Sequence, residues 1–408
     1  MIHSYTRIAS LVLAFGFFIS CSTLQSSTQE SASTENLSEQ QIQQQIRSLD
    51  ENISSNPEKA DLYFKKGKLL TKLAQKKEDP TERVSPYTNA RQVLNRAVNL
   101  YDNTADSESK DKVSDLLNVT WSLEHNQGVK LLQADNVDKP NYEAAIAHFN
   151  NATVIIPDSA VSYTMKARTL YKNQQQKEAI ETLEAARNNI ENPPALLLEK
   201  LAFLYLENNS PRKAIEVYEH AESFSNKNLN VLHGLSNAYI NAGEHQKAIK
   251  LLEQLIKDEP KNIVYRQSLA TELYFLGKSK IDSVVSARKR DISVDDTAFD
   301  SIGTLFSKAE TQFSQVSDEN SGNTEVKERT ATFYYNSASQ YQKLVPLVSQ
   351  KHQEQLQEKI RQYLSASIPL FEHIAEQDQQ NQEIWKKLFN AYSILEMEQE
   401  AENAKANL

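Results

Sequence analysis

The sequence predicts an all-α protein, an α-solenoid of stacked antiparallel helix pairs with about seven or eight repeats. Only 8 of its 408 residues are glycine, and Ala, Leu, Gln, Glu and Lys are frequent, which favours helices over the turns of a β-rich fold. In addition, six apolar or small positions recur with shifts of 35 and then 34 residues: Tyr163, Ala167, Leu170, Ala179, Leu183 and Ala186; Leu198, Ala202, Tyr205, Ala214, Tyr218 and Ala221; Leu232, Ser236, Tyr239, Ala248, Leu252 and Leu255.

The spacing inside each copy is that of two amphipathic helices joined by a short turn, each with one apolar stripe. A pair this small cannot bury its own stripe, so neighbouring copies must stack. Because such an array grows by adding units, the length of the chain does not indicate how many domains it has.

Residues 1–20 have the pattern of a secretory signal peptide. Arg7 precedes an apolar run over residues 8–19, which is too short to span a bilayer. The residues that follow resemble the lipobox of bacterial lipoproteins, in which the cysteine is lipidated and becomes the first mature residue: Phe18, Ile19, Ser20 and Cys21. Cys21 is the only cysteine, so it cannot form an internal disulfide, and we expect lipid attachment there. A lipobox most often has Leu where this chain has Phe18, so ordinary cleavage and an uncleaved anchor stay open as alternatives.

Residues 21–40 are rich in Ser, Thr, Gln and Glu with almost no large apolar side chains, which predicts a disordered tether. The residue after the cysteine is Ser22. An Asp at this position would resemble the signal that retains lipoproteins in the inner membrane of many Gram-negative bacteria, and this chain lacks it. We therefore expect an outer-membrane lipoprotein that faces the periplasm. The alternatives are the cell surface or, in a Gram-positive host, the cell membrane.

The charge balance argues against a nucleic-acid partner. The formal net charge is -9, whereas binding to phosphates needs a concentrated basic face. The one tight basic cluster, Arg288 to Arg290, is interpreted as a solvated helix end.

The repeat resembles the tetratricopeptide repeat (TPR), which has large, Leu, small and Tyr positions in its first helix and Ala, aromatic, Ala and Pro positions in its second. The copy from Tyr163 to Ala186 fits this pattern without a gap. The resemblance covers residues 41–408 and implies a TPR superhelix, with a leading helix near residues 42–53. Its units lie near 41–103, 121–158, 160–193, 195–227, 229–262, 263–321, 331–380 and 382–408.

Some units are longer than the family spacing, which predicts insertions after Gly67, Gly277 and Tyr341. The insertion after Gly277 is expected to be long and charged, with the second helix of that unit at Ala309, Phe313 and Val316. The stretch from residue 350 to 363 is expected to extend a helix. Pro369 is placed in the first turn of a second helix, where its missing N–H group costs little.

The resemblance also implies where a partner binds, namely in a groove lined by the first helix of each unit. A mixture of aromatic, amide and charged groups suits an extended peptide or a partner helix. The groove residues implied are His125, Arg168, Tyr171, Phe203, His233, Asn237, Tyr274, Tyr335 and Asn390. The carboxylate clamp of chaperone-docking TPR proteins is not supplied, because the neighbours of Asn336 at the clamp positions do not match.

The sequence has no metal-binding pair of histidines, no HExxH motif, no phosphate-cradling glycine loop and no second cysteine. We therefore expect no enzyme activity, no cofactor, no metal and no small-molecule substrate. The function expected is a membrane-anchored, non-catalytic protein-protein interaction scaffold of the bacterial cell envelope. The alternative is a nutrient-binding surface lipoprotein that captures glycans.

Overall fold

The computed structural model describes residues 37–133, 141–224, 228–292, 294 and 297–408. Cys21, the signal peptide and most of the tether lie outside these residues. The described residues form seventeen α-helices and no strand. Their bounds are α1 (Glu39–Ser55), α2 (Ala60–Lys76), α3 (Val84–Asn103), α4 (Ser107–Leu132), α5 (Tyr142–Ile155), α6 (Ala160–Lys172), α7 (Gln176–Asn189), α8 (Ala195–Glu207), α9 (Pro211–Phe224), α10 (Leu229–Ala242), α11 (His245–Asp258), α12 (Ile263–Arg288), α13 (Thr297–Glu319), α14 (Thr324–Leu344), α15 (Gln350–Gln377), α16 (Gln382–Ile394) and α17 (Glu398–Lys405).

The chain divides into two compact units. The first comprises residues up to Glu78 together with Ser85–Val113, and the second comprises Asp79–Val84 together with Ser114–Leu408. Short 3₁₀ turns lie at Pro80–Arg83 and Val345–Leu347. The all-α solenoid of helix pairs that the sequence predicts is the observed fold class.

In the first unit, α1 begins at a capping box in which the side chains of Ser38 and Gln41 each accept the other's backbone N–H. Helices α2 and α3 approach closely at Gly67, where a Cβ atom would lie 2.4 Å from a methyl carbon of the buried Leu94. The hydroxyl of Tyr101 on α3 donates to Asp61 on α2 at 2.7 Å. A residue without a side chain at position 67 therefore sets the distance between these helices.

In the second unit, successive helices pair as α6 with α7, α8 with α9 and α10 with α11, and each of these helices has 13 or 14 residues. We call the first helix of a pair its A helix and the second its B helix. All the recurring positions named in the sequence analysis are buried. Ala179, Ala214 and Ala248 have no exposed surface, since a small residue here lets the helix backbones approach.

Every regular turn from an A helix to its B helix ends in the same way. Gln174, Asn209 and Gly243 have φ values of 63°, 55° and 71°, and they follow one another at the repeat spacing. In each turn the next N–H group donates to the carbonyl five residues back, as from Glu244 to Tyr239 at 2.9 Å. This bond is the one that closes a Schellman turn, which favours glycine at the left-handed residue.

Neighbouring pairs are also joined by a recurring hydrogen bond. A tyrosine near the end of an A helix donates to a glutamate on the preceding B helix. The pairs are Tyr205 with Glu184, Tyr239 with Glu219 at 2.7 Å, and Tyr392 with Glu372 at 2.6 Å.

Four successive helices of the second unit are much longer than α6 to α11. Helices α12, α13, α14 and α15 have 26, 23, 21 and 28 residues. The expected second helix at Ala309, Phe313 and Val316 is present in α13, and the expected helical extension over residues 350–363 is part of α15. The stretch after Gly277 is not a long loop, because α12 continues to Arg288 and α13 begins at Thr297.

Pro369 does not lie in a first turn. It lies inside α15, which begins at Gln350, so that part of the prediction is wrong. Pro369 is exposed, and so is Ser365, whose carbonyl group would otherwise accept the missing N–H. The helix tolerates the proline because water can bind that carbonyl.

Candidate partner-binding surface

The A helices α6, α8 and α10 contact one another in sequence along the second unit. Their side chains outside the core occupy equivalent positions, spaced three, four and three residues apart along each helix, so they lie on one face. We call this set the central A-helix face: Val161, Thr164, Arg168 and Tyr171 on α6; Leu196, Glu199, Phe203 and Leu206 on α8; Asn230, His233, Asn237 and Ile240 on α10.

The face exposes several apolar side chains. Leu196 is 57% exposed, Val161 is 49% exposed and Phe203 is 38% exposed. The ring of Tyr171 meets Phe203 edge to face with centroids 6.2 Å apart, and its hydroxyl donates to Glu207 at 3.2 Å. This contact spans two A helices and holds Phe203 at the surface.

The charge on the face is uneven. Arg168 on α6 is exposed, whereas α10 contains no Asp, Glu, Lys or Arg. On α10 the amide of Asn237 donates to Nε2 of His233 at 3.2 Å, and the His233 ring lies 5.6 Å from that of Tyr265. Burial lowers the pKa of His233 and raises the pKa of Glu199. Both shifts favour the neutral form of these side chains.

Residues 134–271 match the protein family described as Psidin, N-terminal TPR repeats region. This stretch is a TPR repeat region. The chain is also similar to solved structures. It resembles the MamA protein with 17% identity, covering 50% of this chain and 94% of that one at a TM-score of 0.37.

Two further similarities are to other TPR proteins. The C-terminal part of a TPR repeat-containing protein from Cytophaga hutchinsonii has 16% identity, covers 65% of this chain and 89% of its own, and has a TM-score of 0.40. YrrB, a TPR protein with an unusual peptide-binding site, has 13% identity, covers 48% of this chain and 84% of its own, and has a TM-score of 0.35. No curated protein matches this sequence.

The structure divides the residues expected to line the TPR groove into two groups. Five of them belong to the central A-helix face: Arg168, Tyr171, Phe203, His233 and Asn237. Their role in binding a partner stays a prediction. Val161 and Leu196 belong to the same face but are missing from the predicted set, although the shift of 35 residues that relates them was visible in the sequence.

The other predicted groove residues pack between helices. His125 is only 9% exposed, stacks on Trp121 and is 3.0 Å from the hydroxyl of Ser162 through Nδ1. Burial lowers its pKa. A partner could not contact this ring without displacing Trp121 or α6, so His125 is not part of the surface we describe.

Tyr274, Tyr335 and Asn390 lie nearer the chain end. Tyr274 stacks on Phe306 with centroids 5.6 Å apart, and burial raises its pKa to about 12. The amide of Asn390 donates to the hydroxyl of Tyr335 at 3.1 Å, which joins α16 to α14. This hydrogen bond engages the Tyr335 hydroxyl and one N–H of Asn390, and both residues are half-buried.

Two buried glutamates were not identified from the sequence. Glu124 has no exposed surface and accepts from Arg83 at 3.0 Å and from Asn151 at 3.2 Å, with Nδ1 of His148 at 2.7 Å. Glu272 is 2.7 Å from Nδ1 of His245. A buried carboxylate needs such partners, so we interpret both as structural.

The described residues contain no group of three or more His, Cys, Asp or Glu side chains that could hold a metal ion. Within the same residues, no helix combines the length and the apolar character that crossing a membrane requires.

Proposed function

We propose that this protein is a non-catalytic interaction scaffold of the bacterial cell envelope, which binds a peptide or helix of a partner protein on the central A-helix face. The observation that carries the proposal is the exposed apolar line formed by Leu196, Val161 and Phe203 on a TPR repeat region. Exposed apolar side chains that are adjacent and rimmed by polar groups favour a binding surface over isolated surface residues.

The proposal includes a lipid anchor at Cys21 and an outer-membrane location facing the periplasm. Its support is the sequence alone: the apolar run, the lipobox-like residues and the tether. The cell surface, or the cell membrane in a Gram-positive host, is the alternative location.

Site-specific photocrosslinking in the host envelope tests the binding surface. A photoreactive residue at position 196 or 203 is expected to capture one discrete partner band. The matched control is position 177, an exposed residue on the B helix α7. Equal capture at position 177, or no band at either surface position, would contradict the proposal.

The variant Phe203→Ala separates binding from folding. Because Phe203 is partly exposed, the variant is expected to keep its helical circular dichroism and to lose most of the crosslinking at position 196. Unchanged crosslinking in a folded Phe203→Ala protein would exclude Phe203 from the binding surface.

The anchor is tested separately with Cys21→Ser in the full chain. We expect loss of labelling by radioactive palmitate and release of the protein from the membrane fraction. A Cys21→Ser protein that stays with the membrane, or a wild-type protein without label, would count against lipidation while leaving the binding surface untouched.

The two tryptophans do not favour the glycan-binding alternative. Both tryptophans of the chain are half-buried and hydrogen-bonded: Trp121 donates to Ser162 at 2.8 Å and Trp385 donates to the Gln379 carbonyl at 3.0 Å. A glycan platform needs a freely exposed aromatic face.

A further inference from the structure

A second surface lies at the other end of the second unit, where a long helix pair stands next to a short one. Residues near the end of α14 and in the first half of α15 line one cavity with Ile394, the last residue of α16, which has only 13 residues. These residues border an open, shallow depression of about 510 Å³, which we call the step pocket. Its volume lies within the range of about 300–1,000 Å³ that is usual for ligand sites.

The step pocket has an apolar floor and polar walls. Ile360 is buried beneath it, and Ile394 at its edge is 42% exposed. The walls include three glutamines, Gln342, Gln353 and Gln357, and none of the lining residues is acidic. The amide N–H of Gln353 donates to the Val348 carbonyl at 3.2 Å, and the amide oxygen of Gln353 has no partner among the described residues.

Arg361 is the charged residue of the lining. It is exposed and forms no ion pair or hydrogen bond with any residue that the structure describes. Over the same described ranges, the carboxamides of Gln342 and Gln357 also have no hydrogen-bond partner. The pocket therefore combines one unpaired guanidinium, amides able to bind a peptide backbone, and an aliphatic floor.

We propose that the step pocket binds an extended segment of a partner protein that carries an aspartate or glutamate next to an aliphatic residue. The carboxylate pairs with Arg361, the glutamines bind the backbone of the segment, and the aliphatic side chain covers Ile360 and Ile394. Charge complementarity argues for this occupant, because the carboxylate of an acidic side chain can accept two parallel hydrogen bonds from a guanidinium group. The proposal does not depend on the central A-helix face.

Selection from a random heptapeptide display library on the full chain tests the proposal. We expect enriched sequences with an acidic residue beside Leu, Ile or Val. An enriched peptide, synthesised with acetylated and amidated ends, should bind about tenfold more weakly to Arg361→Gln, because a hydrogen-bonded charge is lost. Replacing the acidic residue of the peptide by its amide should weaken binding equally, and Ile394→Glu should weaken it further by repulsion.

The matched control is Arg168→Gln, which removes from the central A-helix face an exposed arginine that has no ion pair among the described residues. It should leave binding of these peptides unchanged. The step-pocket proposal is overturned if no Arg361-dependent peptide is enriched, if Arg361→Gln binds normally, or if only peptides with a free C-terminal carboxylate bind. Peptides that depend on Arg168 or Phe203 instead would support the central A-helix face and overturn the step pocket.

Discussion

The regular pairs α6–α11 and the long pairs α12–α15 differ in what packs against the same repeat position. Tyr171 and Tyr274 are equivalent, since they are related through Leu206 and Ile240 by shifts of 35, 34 and 34 residues. Tyr171 contacts Phe203 at the surface, whereas Tyr274 stacks on the fully buried Phe306. Both tyrosines are half-buried, so the difference lies in the extra length of α13, which places the Phe306 ring against this position.

The two regions also differ in what fills them. The regular pairs are packed with Ala and Leu, whereas the long pairs bring together a cluster of rings around Phe333, Tyr341 and Tyr363. The hydroxyl of Tyr363 donates to Glu310 at 3.1 Å, so this buried ring also has a hydrogen-bond partner. Longer helices cover more apolar area and can therefore bury larger side chains.

The largest expected difference between the two regions is in the stability lost when one aromatic ring is removed from each. Phe306→Ala should lower the free energy of unfolding by about 3–5 kcal/mol, because it leaves a cavity in the long-helix region. Phe203→Ala should cost less than about 1 kcal/mol, because its ring is partly exposed. Hydrogen exchange with mass spectrometry would measure both and locate the loss. Similar losses in the two variants would remove the distinction between the regions.

A smaller effect is expected from adding one methyl group at either of two helical glycines. At Gly277 a Cβ atom would lie 2.4 Å from the ring of Phe306. Gly277→Ala should therefore lower the free energy of unfolding by about 1–3 kcal/mol. At Gly303 a Cβ atom would meet nothing within 4 Å. Gly303→Ala should therefore raise the free energy of unfolding by up to about 1 kcal/mol, because Ala has the higher helix propensity. Denaturant unfolding of the two variants is the measurement. A neutral Gly277→Ala would mean that α12 and α13 are not in close contact at this point.

The Schellman turns of the regular pairs predict a reciprocal pair of effects. Gly243→Ala should lower the free energy of unfolding by about 1 kcal/mol, and Gln174→Gly should raise it by about 0.5–1 kcal/mol. The reason is that both residues have left-handed φ values, which glycine adopts without strain. Thermal unfolding of the two variants would test the signs. If Gln174→Gly is destabilising, the left-handed φ of residue 174 does not reduce the stability of the wild-type protein.

The smallest effect concerns pH. Burial depresses the pKa of His233 in the folded protein below its unfolded value of about 6.5, so the unfolded chain binds the proton more tightly. The stabilising contribution is therefore present above about pH 6.5 and is lost as the pH falls through the folded pKa. His233→Gln should flatten part of the decline in stability between neutral and acidic pH, measured by urea titrations at several pH values. If the stability of His233→Gln declines with pH as steeply as that of the wild type, the decline comes from titratable groups other than His233.

The repeat spacing predicted the fold because each recurring position has one physical role. The small residues allow close approach and the large ones fill the space between helices, so the spacing alone was enough to identify the buried set. The spacing could not predict the end of a helix. The stretch after Gly277 contains charged residues, and Lys280 and Asp282 among them are exposed on α12.

The candidate surface was predicted only in part for the same reason. Arg168, Phe203 and Asn237 occupy one repeat position and share one face. Tyr274 was assigned to that face by the same register, but the additional turns of α13 bring Phe306 against it. The fully buried Glu124 could not be predicted, because its partner Arg83 comes from a 3₁₀ turn outside the repeat pattern.

The lack of Asp, Glu, Lys and Arg side chains on α10 has a kinetic consequence. A partner that docks across α10 meets no fixed charge on this helix that could accelerate its approach. Any dependence of its association rate on ionic strength should then come from charges elsewhere on the protein, whose formal net charge is -9. Selectivity between partners at this helix would come from how long each complex lasts, set by the fit of apolar and amide groups.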